Sequence, residues 1–144
     1  MNRSSVVSVI SSLLIFLWVY AALSKLLNYE QSRMQMMNQI FPAAINKVLL
    51  WAVPVSELFT AGLLCVNRWR NSGLFVSCIL LFLFSMYIIL VMNHAFERIP
   101  CSCGGIISKL TWGQHLVFNL FFLALALAGF IISTKKGGDM GKEK

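Results

Sequence analysis

The chain has 144 residues, 58% hydrophobic and only 12% charged, a balance far from that of water-soluble domains, so a soluble enzyme or binding module is excluded. Its formal charge of +7 comes with no basic face and no base-stacking motif. It therefore points to anionic lipid headgroups and excludes nucleic acid as a partner.

Crossing about 30 Å of hydrocarbon takes roughly 20 mostly apolar helical residues. Four stretches qualify: 6–24, 48–66, 73–93 and 116–133. Each is apolar all round, which in water would demand a core larger than this chain can build. The predicted fold is an all-α, polytopic integral membrane protein, a four-helix transmembrane bundle over residues 1–134. Residues 135–144 are glycine-rich and charged and are expected to form a disordered cytoplasmic tail.

The first stretch is read as a retained helix and not a cleaved signal peptide. Only Arg3 precedes it, its apolar run is longer than a typical signal core, and Lys25 and Leu26 continue the segment past the small residues Ala21 and Ala22. In the loop that follows, Met34, Met37, Ile40, Phe41 and Ala44 recur at helical spacing among Gln35, Asn38 and Gln39. That pattern predicts a short helix lying in the interface plane.

The second stretch carries Pro54-Val55-Ser56-Glu57-Leu58. Pro54 should free a carbonyl and kink the helix. Glu57, near mid-span, is a functional candidate by default, because a carboxylate at that depth is costly. Three roles stay open for it: a protonated, hydrogen-bonded group, an ion-pair partner of Lys25 reaching down from the first span, or a proton relay. Cys65 and Cys78, within the second and third stretches, read as small packing residues.

With four spans, Arg3, Arg68, Arg70, Lys135, Lys136, Lys142 and Lys144 fall on one side and Lys25, Arg33, Lys47, Arg98 and Lys109 on the other, seven against five. The positive-inside rule then places both termini in the cytoplasm. The loop after the third stretch, Ile99-Pro100-Cys101-Ser102-Cys103-Gly104-Gly105, consequently faces an oxidising space, and its proline and glycines mark a sharp turn. A disulfide closed across one residue would be strained, easily reduced and of little use as a staple, which suits exchange with a partner. The alternatives are an inert loop clip and a metal site completed by His94 and His115 around Cys101 and Cys103. In the fourth stretch His115 and Asn119 share one helix face near that loop. They either order it or, with Trp112 and Gln114, mark the headgroup level.

Three features together resemble the methylamine utilisation protein MauE family, itself similar to the broader DoxX-like membrane proteins. They are Ala21-Ala22-Leu23-Ser24-Lys25-Leu26 ending the first helix, Pro54-Val55-Ser56-Glu57-Leu58 with Gly62 in the second, and Cys101-Ser102-Cys103-Gly104 before the last. The resemblance covers residues 6–129 and implies a bacterial inner-membrane protein associated with thiol–disulfide chemistry. By position, Cys101 and Cys103 match the family cysteines, Glu57 its second-helix acid and Lys25 its first-helix lysine. Gly105 stands where many members have an aromatic.

The function expected from residues and resemblance together is a membrane thiol–disulfide redox component, an oxidoreductase in which Cys101 and Cys103 exchange with a periplasmic thioredoxin-like partner. Glu57 is the candidate proton relay, and Lys25, Pro54, Gly104 and Gly105 are structural. Trp18, Tyr20 and Trp51 read as interface or packing aromatics; a quinone is the cofactor the redox reading allows, and the same aromatics could line its pocket. The competing class is a non-enzymatic scaffold or assembly subunit of a larger membrane complex, with the cysteines only shaping the loop.

Overall fold

The computed structural model describes residues 2–37, 42–93 and 111–140. These form five helices and no strand: α1 (Arg3–Leu27), α2 (Tyr29–Met37), α3 (Ala43–Cys65), α4 (Arg70–Met92) and α5 (Trp112–Met140). Among the described residues, α1, α3, α4 and α5 each contain a segment long and apolar enough to cross a membrane, over Arg3–Leu27, Ala43–Cys65, Arg70–Leu90 and Gly113–Lys135. The fold is therefore an all-α, multi-pass membrane bundle.

The helices overrun the apolar stretches that announce them. α1 extends to Arg3 and Leu27 around the apolar 6–24, and α5 continues to Met140 through the glycine-rich 135–140 segment. Adding a residue to an existing helix fixes only one more pair of dihedrals per hydrogen bond, so flanks of mediocre propensity are carried along. At the start of α5 a capping box is in place: the Thr111 amide donates to Gln114 Oε1 at 3.1 Å and the Gln114 amide to Thr111 Oγ1 at 3.4 Å.

The short helix after α1 lies earlier in the chain than the methionine pattern predicts. α2 carries Met34 and Met37, Ala44 belongs to the first turn of α3, and Ile40 and Phe41 fall outside the described residues. Asn28 explains the shift. Its amide and its side-chain Nδ2 both donate to Ser24 O, at 3.2 and 3.1 Å, closing α1, and the Ser32 amide then donates to Asn28 O at 2.9 Å, reopening the helix at once. Ser32 Oγ reaches back to Lys25 O at 3.2 Å, and the Tyr29 ring packs on Trp51 of α3 with centroids 5.8 Å apart. Tertiary contacts thus hold a helix that is polar in sequence.

The four long helices form a ring in which α1 packs on α3 and α5, and α4 on α3 and α5. Ile10 of α1, Leu74 of α4 and Gly129 of α5 meet at one end, so α1 and α4 run together and α5 against them. The core holds Leu14, Trp18, Leu64, Leu74, Leu81 and Ala126, while Phe16, Phe59, Phe75, Phe82, Val117 and Phe121 face outward where lipid would lie. Three buried hydroxyls are satisfied within their own helices: Ser11 Oγ donates to Val7 O at 2.8 Å, Thr60 Oγ1 to Ser56 O at 2.7 Å and Ser85 Oγ to Leu81 O at 2.7 Å. Helix α3 continues without interruption through the buried Pro54. The α3–α4 turn is tight because position 73 is glycine. A Cβ there would lie 2.9 Å from the Leu64 backbone nitrogen, the close approach that small residues permit between membrane helices.

Candidate functional site

The polar interior is built on two stripes. On α1, Trp18, Ala21, Ala22 and Lys25 recur at three- and four-residue spacing and are all buried; on α3, Glu57, Thr60, Ala61 and Leu64 do the same. Where the stripes meet, Lys25 Nζ donates to Glu57 Oε1 at 2.6 Å, with the two side chains only 6% and 1% exposed. Lys25 also reaches its own helix at Ala21 O, 3.4 Å away. Glu57 Oε2 is buried and has no hydrogen-bond partner among the described residues.

Around this pair lies a small cavity bounded by Trp18 and Ala21 of α1, Leu81 and Phe84 of α4, and His115 and Asn119 of α5. Its volume of about 20 Å³ exceeds the roughly 10–15 Å³ that one water requires. Room for a single water therefore exists beside the pair. His115 and Asn119 are 4% and 6% exposed, so they face the interior and not the headgroup region, whereas Gln114, one residue away from His115, is exposed. The cavity floor is fixed across the bundle by Trp18, whose Nε1 donates to Ser77 Oγ of α4 at 3.0 Å and whose ring packs on Phe84.

Chemically, the site holds a cation, an anion and an imidazole out of water in one compartment, each on a different helix. A carboxylate with one oxygen engaged and the other free can accept and pass on a proton, and His115 is the neighbouring group able to do the same. The ends of the chain segment that bears the cysteines, Asn93 and Thr111, belong to the end of the bundle where Lys25 and His115 lie.

Residues 3–132 match the family described as methylamine utilisation protein MauE. The chain belongs to the MauE family. The match spans all four long helices of this MauE-family chain, with Lys25, Glu57 and the cysteine segment inside it. No curated protein and no solved structure matches it.

Of the site residues expected from sequence, Lys25, Glu57 and His115 are brought to one cavity, and Pro54 is buried one turn from Glu57. Cys101, Cys103, Gly104, Gly105 and His94 lie outside the described residues. Among the described residues no group of three or more His, Cys, Asp or Glu side chains could hold a metal ion. Cys65 and Cys78 are free thiols; Cys78 packs partly against the core, but Cys65 is exposed at the end of α3 and fills no interior space. Trp18 is an interior hydrogen-bond donor, and Trp51 is half exposed on the outside of α3. The spacing of Trp18, seven residues before Lys25, signals a shared helix face but not its hydrogen-bond partner. Ser77 carried no such signal, since its partner is 59 residues away.

Proposed function

We propose that this MauE-family protein is a membrane component of thiol–disulfide exchange in the bacterial inner membrane, with both termini cytoplasmic and Cys101 and Cys103 as the exchanging pair. The observation that carries the reading is the buried Lys25–Glu57 pair with His115 beside it, at the end of the bundle from which the cysteine segment departs. Converting a disulfide to a dithiol takes up two electrons and two protons. A thioredoxin-like partner supplies the electrons as its own dithiol becomes a disulfide: its thiolate attacks one sulfur of Cys101–Cys103, a mixed disulfide forms, and the partner's second thiol releases it. The reverse sequence oxidises the partner instead. Glu57, hydrogen-bonded through one oxygen only, and His115 are the groups that would deliver or accept protons at this end of the bundle.

The test is trapping. In cells quenched with acid, Cys101→Ala or Cys103→Ala is expected to accumulate a mixed disulfide with an envelope protein that reductant dissolves. Failure of both variants to trap anything, with function retained, removes the proposal. Membrane-impermeant thiol labelling of intact cells is expected to reach Cys101 or Cys103 after reduction, and labelling only after permeabilisation inverts the orientation.

A second reading, a scaffold subunit without exchange chemistry, is favoured by the same ion pair, which ties α1 to α3. The double variant Lys25→Met with Glu57→Gln separates the two. A scaffold keeps its function with the paired apolar and amide replacements, and an exchange component that uses Glu57 loses rate.

A further inference from the structure

The other end of the bundle carries a second polar site. Where α1 and α4 begin, beside the α3–α4 turn, an open cavity of about 700 Å³ is lined by Arg3, Arg68 and Arg70, with Ser8, Asn71 and Ser133 among the polar groups between them. Among the described residues no carboxylate lines it. Among the described residues, the ion pairs are Lys25–Glu57 and Arg33–Glu30, both away from this cavity, so none of its three guanidinium groups has a carboxylate partner.

Arg70 is held in place. Its guanidinium donates to Ser8 Oγ at 3.3 Å and to Asn67 Oδ1, so it joins α1 to the turn, while its Nε is buried with no hydrogen-bond partner among the described residues. Ser133 Oγ donates to Asn71 Oδ1, tying α5 to α4 at the rim. The backbone adds to the field. The first amides of α1 and of α4 lack intrahelical acceptors, and both helix N-termini open on this cavity. Three cations and two helix N-termini with no counter-charge among the described residues repel one another unless an anion joins them, and guanidinium groups match the oxygens of phosphate.

The cavity's depth indicates where that anion comes from. Arg3 opens the first apolar span, Arg70 opens the third, and Ser133 stands two residues before the last one ends at Lys135. Those are headgroup-level positions, and Val7 and Ile132 supply an apolar wall below the charged rim. We propose that this cavity binds a phosphate-bearing anion at the membrane surface, presented by an anionic phospholipid headgroup or by a soluble phosphate.

The experiment uses the full chain in neutral detergent. Thermal unfolding is followed with added phosphatidylglycerol, phosphatidylcholine or inorganic phosphate, for wild type and for Arg3→Gln, Arg68→Gln, Arg70→Gln and, at the opposite end, Arg33→Gln. Phosphatidylglycerol is expected to raise the midpoint by several degrees beyond phosphatidylcholine. Arg3→Gln and Arg68→Gln are expected to weaken that binding by about tenfold each, as loss of a charge-assisted contact does. Arg33→Gln leaves it unchanged. A rise with inorganic phosphate equal to that with phosphatidylglycerol, lost in the same variants, assigns a soluble phosphate. Because Arg70 also braces Ser8 and Asn67, its variant is scored only alongside the other two. If neither anion stabilises the protein, or if Arg3→Gln and Arg68→Gln bind as wild type does, the proposal is overturned.

Discussion

The two ends of the bundle handle charge in opposite ways. At one, Lys25 and Glu57 neutralise each other at 2.6 Å inside a cavity with room for one water. At the other, Arg3, Arg68 and Arg70 share a far larger cavity with no carboxylate among the described residues along its walls. The first arrangement is buried and internally balanced, so its cost was met when the helices packed. The second has no counter-charge among the described residues. Burial decides the difference: a lone charge is tolerable at headgroup level, where water and lipid can screen it, and intolerable in the middle of a span.

The largest effect should come from unbalancing the buried pair. Lys25→Met or Glu57→Gln alone is expected to cost about 3–5 kcal/mol, because each strands or unpairs its buried partner, while the double replacement recovers most of the loss. Denaturant titration in detergent micelles measures this, and a double-variant loss equal to the sum of the two single losses would mean the pair is not coupled. Next in size, Gly73→Val drives a side chain into the Leu64 backbone and is expected to cost about 1–3 kcal/mol through overpacking. That change would loosen the turn beneath the arginines without touching any charge. Phosphatidylglycerol should restore less stability to it than to wild type.

Smaller again is Ser77→Ala, which leaves the Trp18 indole N–H without its acceptor and is expected to cost about 1–2 kcal/mol. A red shift or broadening of tryptophan emission would register a loosened Trp18, and unchanged stability would show that this cross-bundle bond is dispensable. The smallest effect is expected for Arg33→Gln, whose partner Glu30 stands 3.7 Å away with both side chains well exposed. Such pairs contribute about 0–1 kcal/mol, and a larger loss would show that exposure does not set the scale here.

How much of this could be read in advance follows from the range of each interaction. The four spans are legible because hydropathy over about 20 residues needs no tertiary information. The acid at position 57 is legible for the same reason, as an anomaly in its own window. Lys25 enters as its partner because it sits at the end of the adjacent span, within reach of a long side chain. The rest depends on residues that only folding brings together. Trp18 reads as an interface aromatic until Ser77, 59 positions later, turns out to face it. The arginine cavity joins positions 3, 68, 70 and 133, each an unremarkable polar residue at the edge of an apolar run. The start of α2 at Tyr29 is not legible in the methionine pattern, because Asn28 ends one helix and starts the next through hydrogen bonds that periodicity does not encode.

The Lys25–Glu57 pair also constrains how the protein can be assembled. During synthesis α1 enters the bilayer before α3 exists, and Lys25, near the end of its helix, can extend its ammonium toward the headgroups while it waits. Glu57 arrives later, eight residues from the nearer end of α3, too deep for its short side chain to escape. It becomes tolerable only on meeting Lys25 in one particular register. A slip of one helical turn between α1 and α3 would leave both charges stranded, so the pair serves as a registration mark that distinguishes a finished bundle from a merely inserted one.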